Sequence, residues 1–380
     1  MKKNKIMKHL GISILVFFAL ISCQEPAKKA TDEASATKDT LITIENKSAI
    51  LTISLFGGAY IDFRLNGTDI NPLSFRTAEA DMPINNRKGA PFQGHFICLG
   101  RWGAPTAGEI EAGVPHNGQV TNTIWTREKI SDNRRIVMSN YAPRDGMGIL
   151  RNIRLIGEQS LFHVTEEIKN GTTIARLNNV VQHATFAPPF LDETTVVNSN
   201  AGKGFLQALC YPDPHKYEFT WPNGYLDEKK RPVDLTSSAT GESYVSTHIF
   251  TDEYGWVAAY TPSKELLIGY IWPTKEYPFL NVWHEVKNNK PWAKGLEFGT
   301  TGIGKPYQDL LAVDTRFHGI NSFELLDAGQ SVTKSFVCFL LKIPSDYKGI
   351  EKIEMDGTRI IIREKGNRRS DEFAFNGFNK

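Results

Sequence analysis

From Thr40 to about Ile362 the sequence keeps returning to a period of two. In Leu51-Thr52-Ile53-Ser54-Leu55 apolar and hydroxyl side chains alternate, so on an extended backbone they point to opposite faces of a sheet. The same alternation marks Ile61-Asp62-Phe63-Arg64-Leu65 and Ile149–Leu155, and further strands are expected over Leu161–Ile168, Val257–Tyr260, Leu266–Trp272 and Val332–Leu341. Between them lie Gly57-Gly58, Asn66-Gly67, Asn170-Gly171, Pro212-Asp213-Pro214 and Asn223-Gly224. These residue types tolerate a positive φ or pre-set the φ of a turn. Apolar spacing of three and four residues with caps is not sustained anywhere, so only short helical turns are expected. No repeat and no Ser- or Gly-rich linker divides the stretch. The expected fold is therefore all-β, a single large antiparallel sandwich over residues 40–362.

The charge balance narrows the partners. With 44 Lys and Arg against 42 Asp and Glu in 380 residues, the chain has no surplus of bases with which to track a phosphate backbone, and nucleic acid is excluded as an expected partner. A hydrophobic fraction of 41% is enough for a packed core and excludes a disordered chain.

The first 22 residues are set apart from the fold. Lys2, Lys3, Lys5 and Lys8 precede an apolar run from Leu10 to Ile21, which is an export signal too short to span a bilayer of ~30 Å. Leu20-Ile21-Ser22-Cys23 resembles a lipobox, so cleavage before Cys23 and its lipidation are expected. Losing those four lysines and no acid takes 44 bases to 40, against 42 acids, which leaves the mature chain slightly acidic. Residues 23–39 read as a flexible tether. The expected location is the bacterial cell envelope, periplasmic or at the outer membrane or cell surface, with membrane contact only through the lipid, and the expected state is a monomer. Residues 363–380, with Arg363, Lys365, Arg368 and Arg369, read as a basic, solvated tail. Cys98, Cys210 and Cys338 form no CxxC, and His215, His248, His284 and His318 have no close ligand spacing. No metal site and no cofactor are expected.

Candidate acid-base chemistry rests on His116 in Gly113-Val114-Pro115-His116-Asn117-Gly118, His183 in Val180-Val181-Gln182-His183-Ala184-Thr185-Phe186, and Glu297 in Lys294-Gly295-Leu296-Glu297-Phe298-Gly299. Imidazoles and a carboxylate inside apolar strings can converge on one concave face of a sandwich. Each also has a plain alternative, since a strand histidine is commonly a hydrogen-bonded core residue, and Glu297 could pair with Lys294 at the surface.

Taken together these segments resemble the aldose 1-epimerase, or galactose mutarotase-like, superfamily, and most nearly its hexose-6-phosphate mutarotase branch. Gly94-His95-Phe96-Ile97-Cys98-Leu99-Gly100-Arg101-Trp102-Gly103 is similar to that branch's Gly-Gly-Ile-Pro-Ile-Cys…Phe-Gly, Pro115-His116-Asn117-Gly118…Trp125 to its Pro-His-Gly-Phe-Ala-Arg…Trp, and Val282-Trp283-His284 to its Val-Trp-Asn-Pro. The likeness runs from about Leu51 to Leu341. It implies a β-supersandwich and cofactor-free anomer interconversion, with Glu297 as base, His183 as acid and His116 assisting. By the same resemblance Arg101, Trp102, Trp125, Trp283 and His284 would bind substrate, a mono- or oligosaccharide. A Glu between Leu296 and Phe298 would be partly desolvated, which raises its pKa towards the useful range.

Two departures bear on the substrate. The branch's Arg after His-Gly is replaced by Gln119-Val120-Thr121, with Asn117 inserted between His116 and Gly118. The Asp that precedes the branch's Glu segment is replaced by Asn288-Asn289-Lys290-Pro291-Trp292. Without the guanidinium a phosphate dianion loses its bidentate partner, although Arg101 and Arg151 could substitute, so a non-phosphorylated sugar is expected: neutral, carboxylated or sulfated. Indoles suit a pyranose face, and Trp102, Trp125, Trp283 and Trp292 fall in or beside the motifs. Two other readings stand beside this one. One is a non-catalytic carbohydrate-binding protein. The other is a polysaccharide hydrolase or lyase, for which Asp192, Glu193 and Glu285, or Tyr211, Tyr217 and Arg101, would be the additional groups.

Overall fold

The alternation resolves into antiparallel sheets, and the residues between them form the core. In a computed structural model that describes residues 40–128 and 132–378, twelve strands join into one sheet and eight into a second among the described residues. The larger sheet runs from Leu41–Glu45 through Ala49–Ser54, Ala59–Leu65, His95–Leu99, Val180–Phe186, Lys290–Gly299, Phe279–Lys287, Tyr244–Ile249 and Lys203–Leu206 to three short strands ending at Pro232–Asp234. Its centre is thus assembled from segments far apart along the chain. The expected signal, lipidation at Cys23 and the tether fall outside the described residues.

One face of the large sheet packs on the smaller sheet through Ile97, Ala184, Phe298, Leu280 and Val282, together with Ile153, Phe162, Ile268 and Phe336. Inside this apolar layer sits a polar network. Arg151 Nε donates to Glu166 Oε1 (2.6 Å) and its Nη1 to Gly58 O (2.5 Å), while Gln182 Nε2 donates to Glu166 Oε2 (2.6 Å). The Arg151 guanidinium also lies 4.7 Å from the Trp125 ring and 5.2 Å from that of Tyr60. Both members of the ion pair are fully buried, so each charge depends on the other for compensation.

The expected basic tail is instead part of the fold. Ile350–Met355, Arg359–Glu364 and Ser370–Ala374 form a three-stranded antiparallel sheet. Ile350, Ile360, Ile362, Phe373 and Phe375 pack on Leu161, Trp256, Leu267, Val337 and Phe339 from the outer face of the smaller sheet. The tail's arginines stay at the surface but are paired with acids: Arg363 with Glu354, Arg368 with Asp346 and Arg369 with Asp371. This cover explains why Leu266–Pro273 is buried at every position, since a strand packed on both faces reads as a continuous apolar run. Asn223-Gly224, expected as a turn, belongs instead to the short strand Asn223–Tyr225.

Removing one partner of a buried ion pair strands the other charge, at a typical cost of ~3–5 kcal/mol. Glu166→Ala is therefore expected to destabilise the chain by about that much in equilibrium urea unfolding, and a loss below ~1 kcal/mol would show that Arg151 does not depend on it.

Candidate active site

Three adjacent central strands bring the candidate residues into one row. Across the large sheet, Phe96 lies opposite His183 and His183 opposite Glu297, and residues directly opposite in an antiparallel ladder share a face. The next residues along the strands, Ile97, Gln182 and Phe298, form their own row on the other face, which is the face turned to the core. Period two therefore puts Phe96, His183 and Glu297 on the face away from the second sheet. There they border a cleft of ≈ 680 Å³ lined also by Trp102, His116, Trp283, Trp292, Glu285 and Gln207.

His183 and Glu297 are in direct contact: His183 Nε2 lies 3.1 Å from Glu297 Oε1. Trp102 Nε1 donates to Glu297 Oε2 at 3.1 Å, and Thr185 Oγ1 lies 2.8 Å from His183 Nδ1. Both functional groups are nearly closed to solvent, at 9% and 1% exposure. Burial pushes the Glu297 carboxyl up to about 8, opposed by the Trp102 hydrogen bond. Burial likewise pushes His183 down to about 3. The sum is a neutral pair that shares one proton, because each charged form is penalised by the same dry surroundings.

Gly295 makes room for this carboxylate. A Cβ there would stand 2.5 Å from Glu297 Oε1 and 3.2 Å from Trp283 Cβ, so the glycine in Gly295-Leu296-Glu297 is a steric requirement of the site. Trp102 arrives on a loop, and that loop is pinned by the residue inserted beside His116. Asn117 Oδ1 accepts from Gly103 N at 2.8 Å, and Asn117 N donates to Gly103 O at 3.1 Å. Asn117 adopts φ 63°, a left-handed conformation that asparagine tolerates better than most residues. Gly118 follows at φ 85°, where a Cβ would meet Leu99 O at 1.9 Å. The loops carrying Trp102 and His116 are thereby tied to each other and to the His95–Leu99 strand.

Aromatic rings form the walls. Phe96 stacks on His183 at 4.2 Å and Phe92 on Phe96 at 5.1 Å. Phe75 meets the indoles of Trp283 and Trp292 edge-on at 5.8 and 5.4 Å. Lys287 Nζ lies 3.4 Å from the Trp292 ring centre; it is the one cationic side chain among the lining residues, against the acids Asp81, Glu285 and Glu297.

No protein-family model matches the chain, and no curated protein matches it in sequence. Solved structures do match. The galactose mutarotase related enzyme of Lactobacillus acidophilus aligns over 80% of this chain and 98% of its own, with TM-score 0.57 and 12% identity. The galactose mutarotase-like protein of Clostridium acetobutylicum aligns over 80% and 95%, with TM-score 0.56 and 15% identity. The chain has the galactose mutarotase-like fold. A TPR-domain containing protein of Parabacteroides distasonis also matches, over 80% of this chain and 47% of that one, with TM-score 0.53 and 12% identity. The mutarotase-like fold thus occurs in proteins of different description, and function has to be argued from the site.

On this fold the expected residues separate into two groups. Glu297, His183, His116, Trp102 and Trp283 border one cleft. Arg101, Trp125 and His284 are not among its lining residues. Arg101 is buried and donates from both terminal nitrogens to Glu109 (2.9 and 3.0 Å), with Asp145 3.5 Å away. Trp125 is a core residue whose indole donates to Val120 O at 3.0 Å. His284 is fully buried and donates to Thr240 O at 3.2 Å, on the side of the sheet where Lys294 reaches Tyr244 and Ser237. Lys294 therefore does not pair with Glu297. Of the extra carboxylates considered for hydrolysis, Glu285 borders the cleft and Asp192 and Glu193 do not. Sequence reasoning missed Phe96, Asn117, Gln207 and Asp81. Asn117 did carry a signal, as an insertion directly beside a candidate histidine.

The Trp102 indole holds the Glu297 pKa down, so its removal has a definite sign. Trp102→Phe is expected to raise the Glu297 pKa above about 8, followed as the carboxyl band lost in an infrared difference titration against Glu297→Gln. A value that stays put or falls would mean that the hydrogen bond does not form.

Proposed function

We propose that the chain is a mutarotase-like isomerase that interconverts the anomers of a non-phosphorylated sugar. The observation that carries this reading is the His183–Glu297 contact of 3.1 Å at the base of an aromatic-walled cleft. Opening a cyclic hemiacetal takes the proton from the anomeric hydroxyl and gives one to the ring oxygen while the C1–O bond breaks. The open aldehyde then turns about C1–C2, and the reverse proton movements close the ring on the other face. One proton acceptor and one donor are needed together, and a pair holding a single proton supplies both. In this reading the shared proton, which rests on Glu297 in the empty cleft, crosses to His183 over their 3.1 Å contact when substrate binds. Glu297 then acts as the base and His183 as the acid, and His116, whose ring borders the same cleft, steadies a sugar hydroxyl.

The pH window follows from the two shifts. Below about 3 both groups are protonated and no base is left; above about 8 both have lost their proton and no acid is left. The rate is expected to be bell-shaped with limbs at those macroscopic values. A cleft of ≈ 680 Å³ suits a mono- or disaccharide, and stacked indoles suit its apolar face. The lining acids outnumber Lys287, and Arg101 and Arg151 are already engaged with carboxylates. That balance disfavours a phosphate dianion.

Polarimetry or exchange NMR on freshly dissolved neutral sugars tests the reading. Glu297→Gln and His183→Asn are expected to lose at least about a hundredfold in rate, since general acid-base groups contribute ~10² to 10⁴, with thermal unfolding close to that of the parent. Sugar phosphates are expected to show no acceleration. Ligand-induced shifts with no faster anomer exchange for any sugar would make this a binding protein. The lipid anchor at Cys23 is part of the same proposal and places the reaction outside the cytoplasm. Cys23→Ser is expected to move the protein from the membrane to the soluble fraction.

A further inference from the structure

Away from the cleft, three side chains from two distant loops meet at the surface. His215 and Glu218 lie on the turn after Pro214, and His318 lies on the tight hairpin Phe317–Ile320. Their ligand atoms all fall within 4.8 Å of one another. His215 Nδ1 is 3.8 Å from Glu218 Oε2, and His318 Nε2 lies at hydrogen-bond distance (2.5 Å) from the same oxygen. The geometry points to a binding site for a borderline transition-metal dication, of the zinc, nickel or copper class, held by His215, His318 and Glu218.

Several features favour this assignment. A tetrahedral zinc site with Zn–N and Zn–O of ~2.0–2.2 Å needs donor atoms roughly 3.3–3.5 Å apart, so small side-chain rotations suffice. Both imidazoles are oriented by the fold. His215 packs against the buried Phe317 ring at 5.0 Å, and the His318 hairpin is closed by reciprocal Phe317–Ile320 backbone hydrogen bonds of 3.0 Å. His318 itself has φ 48°, and its Nε2 lies against Glu218 Oε2. Lys203 Nζ pairs with the other carboxylate oxygen, Oε1, and leaves Oε2 to the metal. This outer contact orients the carboxylate, as second-shell partners do, and offsets its charge. Binding then rests mainly on nitrogen donors, which selects against Mg²⁺ and Ca²⁺. Exposure of both histidines leaves a fourth position to water. The ion would link two loops that pack on one small core patch containing Phe205 and Phe317.

The test is calorimetric titration of the full chain, without a polyhistidine tag, with ZnCl₂ and separately with CaCl₂, alongside thermal unfolding. One zinc per chain, a raised melting temperature with zinc and no calcium binding are expected. His215→Ala and His318→Ala are each expected to bind zinc at least about tenfold more weakly, with unfolding in the absence of metal unchanged. Absence of saturable zinc binding, binding by either variant as tight as the parent's, or calcium binding as tight as zinc would overturn the assignment. Anomerisation need not be measured, so failure here and failure of the proposed activity are separable.

Discussion

The site depends on one register. His183 stands opposite Glu297 across the ladder between Val180–Phe186 and Lys290–Gly299, more than a hundred residues apart in the chain. A slip of one residue would carry His183 to the core face and put Gln182 in its place. The register is held from both sides. On the core face Gln182 bonds to Glu166, and through it to Arg151, while Leu296 and Phe298 fill the apolar layer. The buried ion pair belongs to the smaller sheet, and it reaches the strand that carries His183 through Gln182 on that strand's opposite face.

Dryness is the second requirement, and the loops supply it. A carboxyl on an open sheet face would be solvated and ionised at neutral pH. Here Trp102 covers Glu297 and Phe96 covers His183, and Asn117 fastens the Trp102 loop in that position. The Asn117 insertion, which at the level of motif was a departure from the phosphosugar branch, has a structural role in place of the missing guanidinium. Arg101 is drawn away by Glu109, the third residue of the Ala107–Glu111 helix, whose side chain also accepts from Thr106 N in a capping box. One carboxylate therefore both caps that helix and withholds a cation from the cleft.

How much of this was legible in the sequence varied with the range of the interaction. Alternation in Leu51–Leu55 and Ile149–Leu155 reports a local fact, that one side of a strand is wetter than the other, and it led to the right fold class. Whether a charged strand finds a cover is not local. The segment from Arg363 read as a tail because its arginines stay at the surface, with the partners of Arg363 and Arg368, Glu354 and Asp346, 9 and 22 residues upstream and that of Arg369, Asp371, beside it. Its apolar anchors Phe373, Phe375 and Phe378 also stand among charges. Trp125 and His284 sat in the right motif strings but are buried away from the cleft, Trp125 on a loop where its indole bonds to Val120 O and His284 because adjacent strand residues face opposite ways. In Val282-Trp283-His284 that parity gives the cleft to Trp283 and the interior to His284.

The same parity argument limits what the site can be. Glu297 has no carboxylate neighbour in its own row, which continues from His183 and Glu297 to Asn281 and Thr247. Glu285 borders the cleft from farther along the Phe279–Lys287 strand, beyond Trp283, whose indole donates to it at 3.3 Å. A hydrolase needs two carboxyl groups facing each other about the scissile bond, ~5–9.5 Å apart. In this row the partner of the carboxyl is an imidazole in direct contact, with no room for a water between them. A touching acid-base pair suits chemistry in which both protons move on neighbouring oxygens of one substrate, and the anomeric hydroxyl and ring oxygens of a pyranose are bonded to the same carbon.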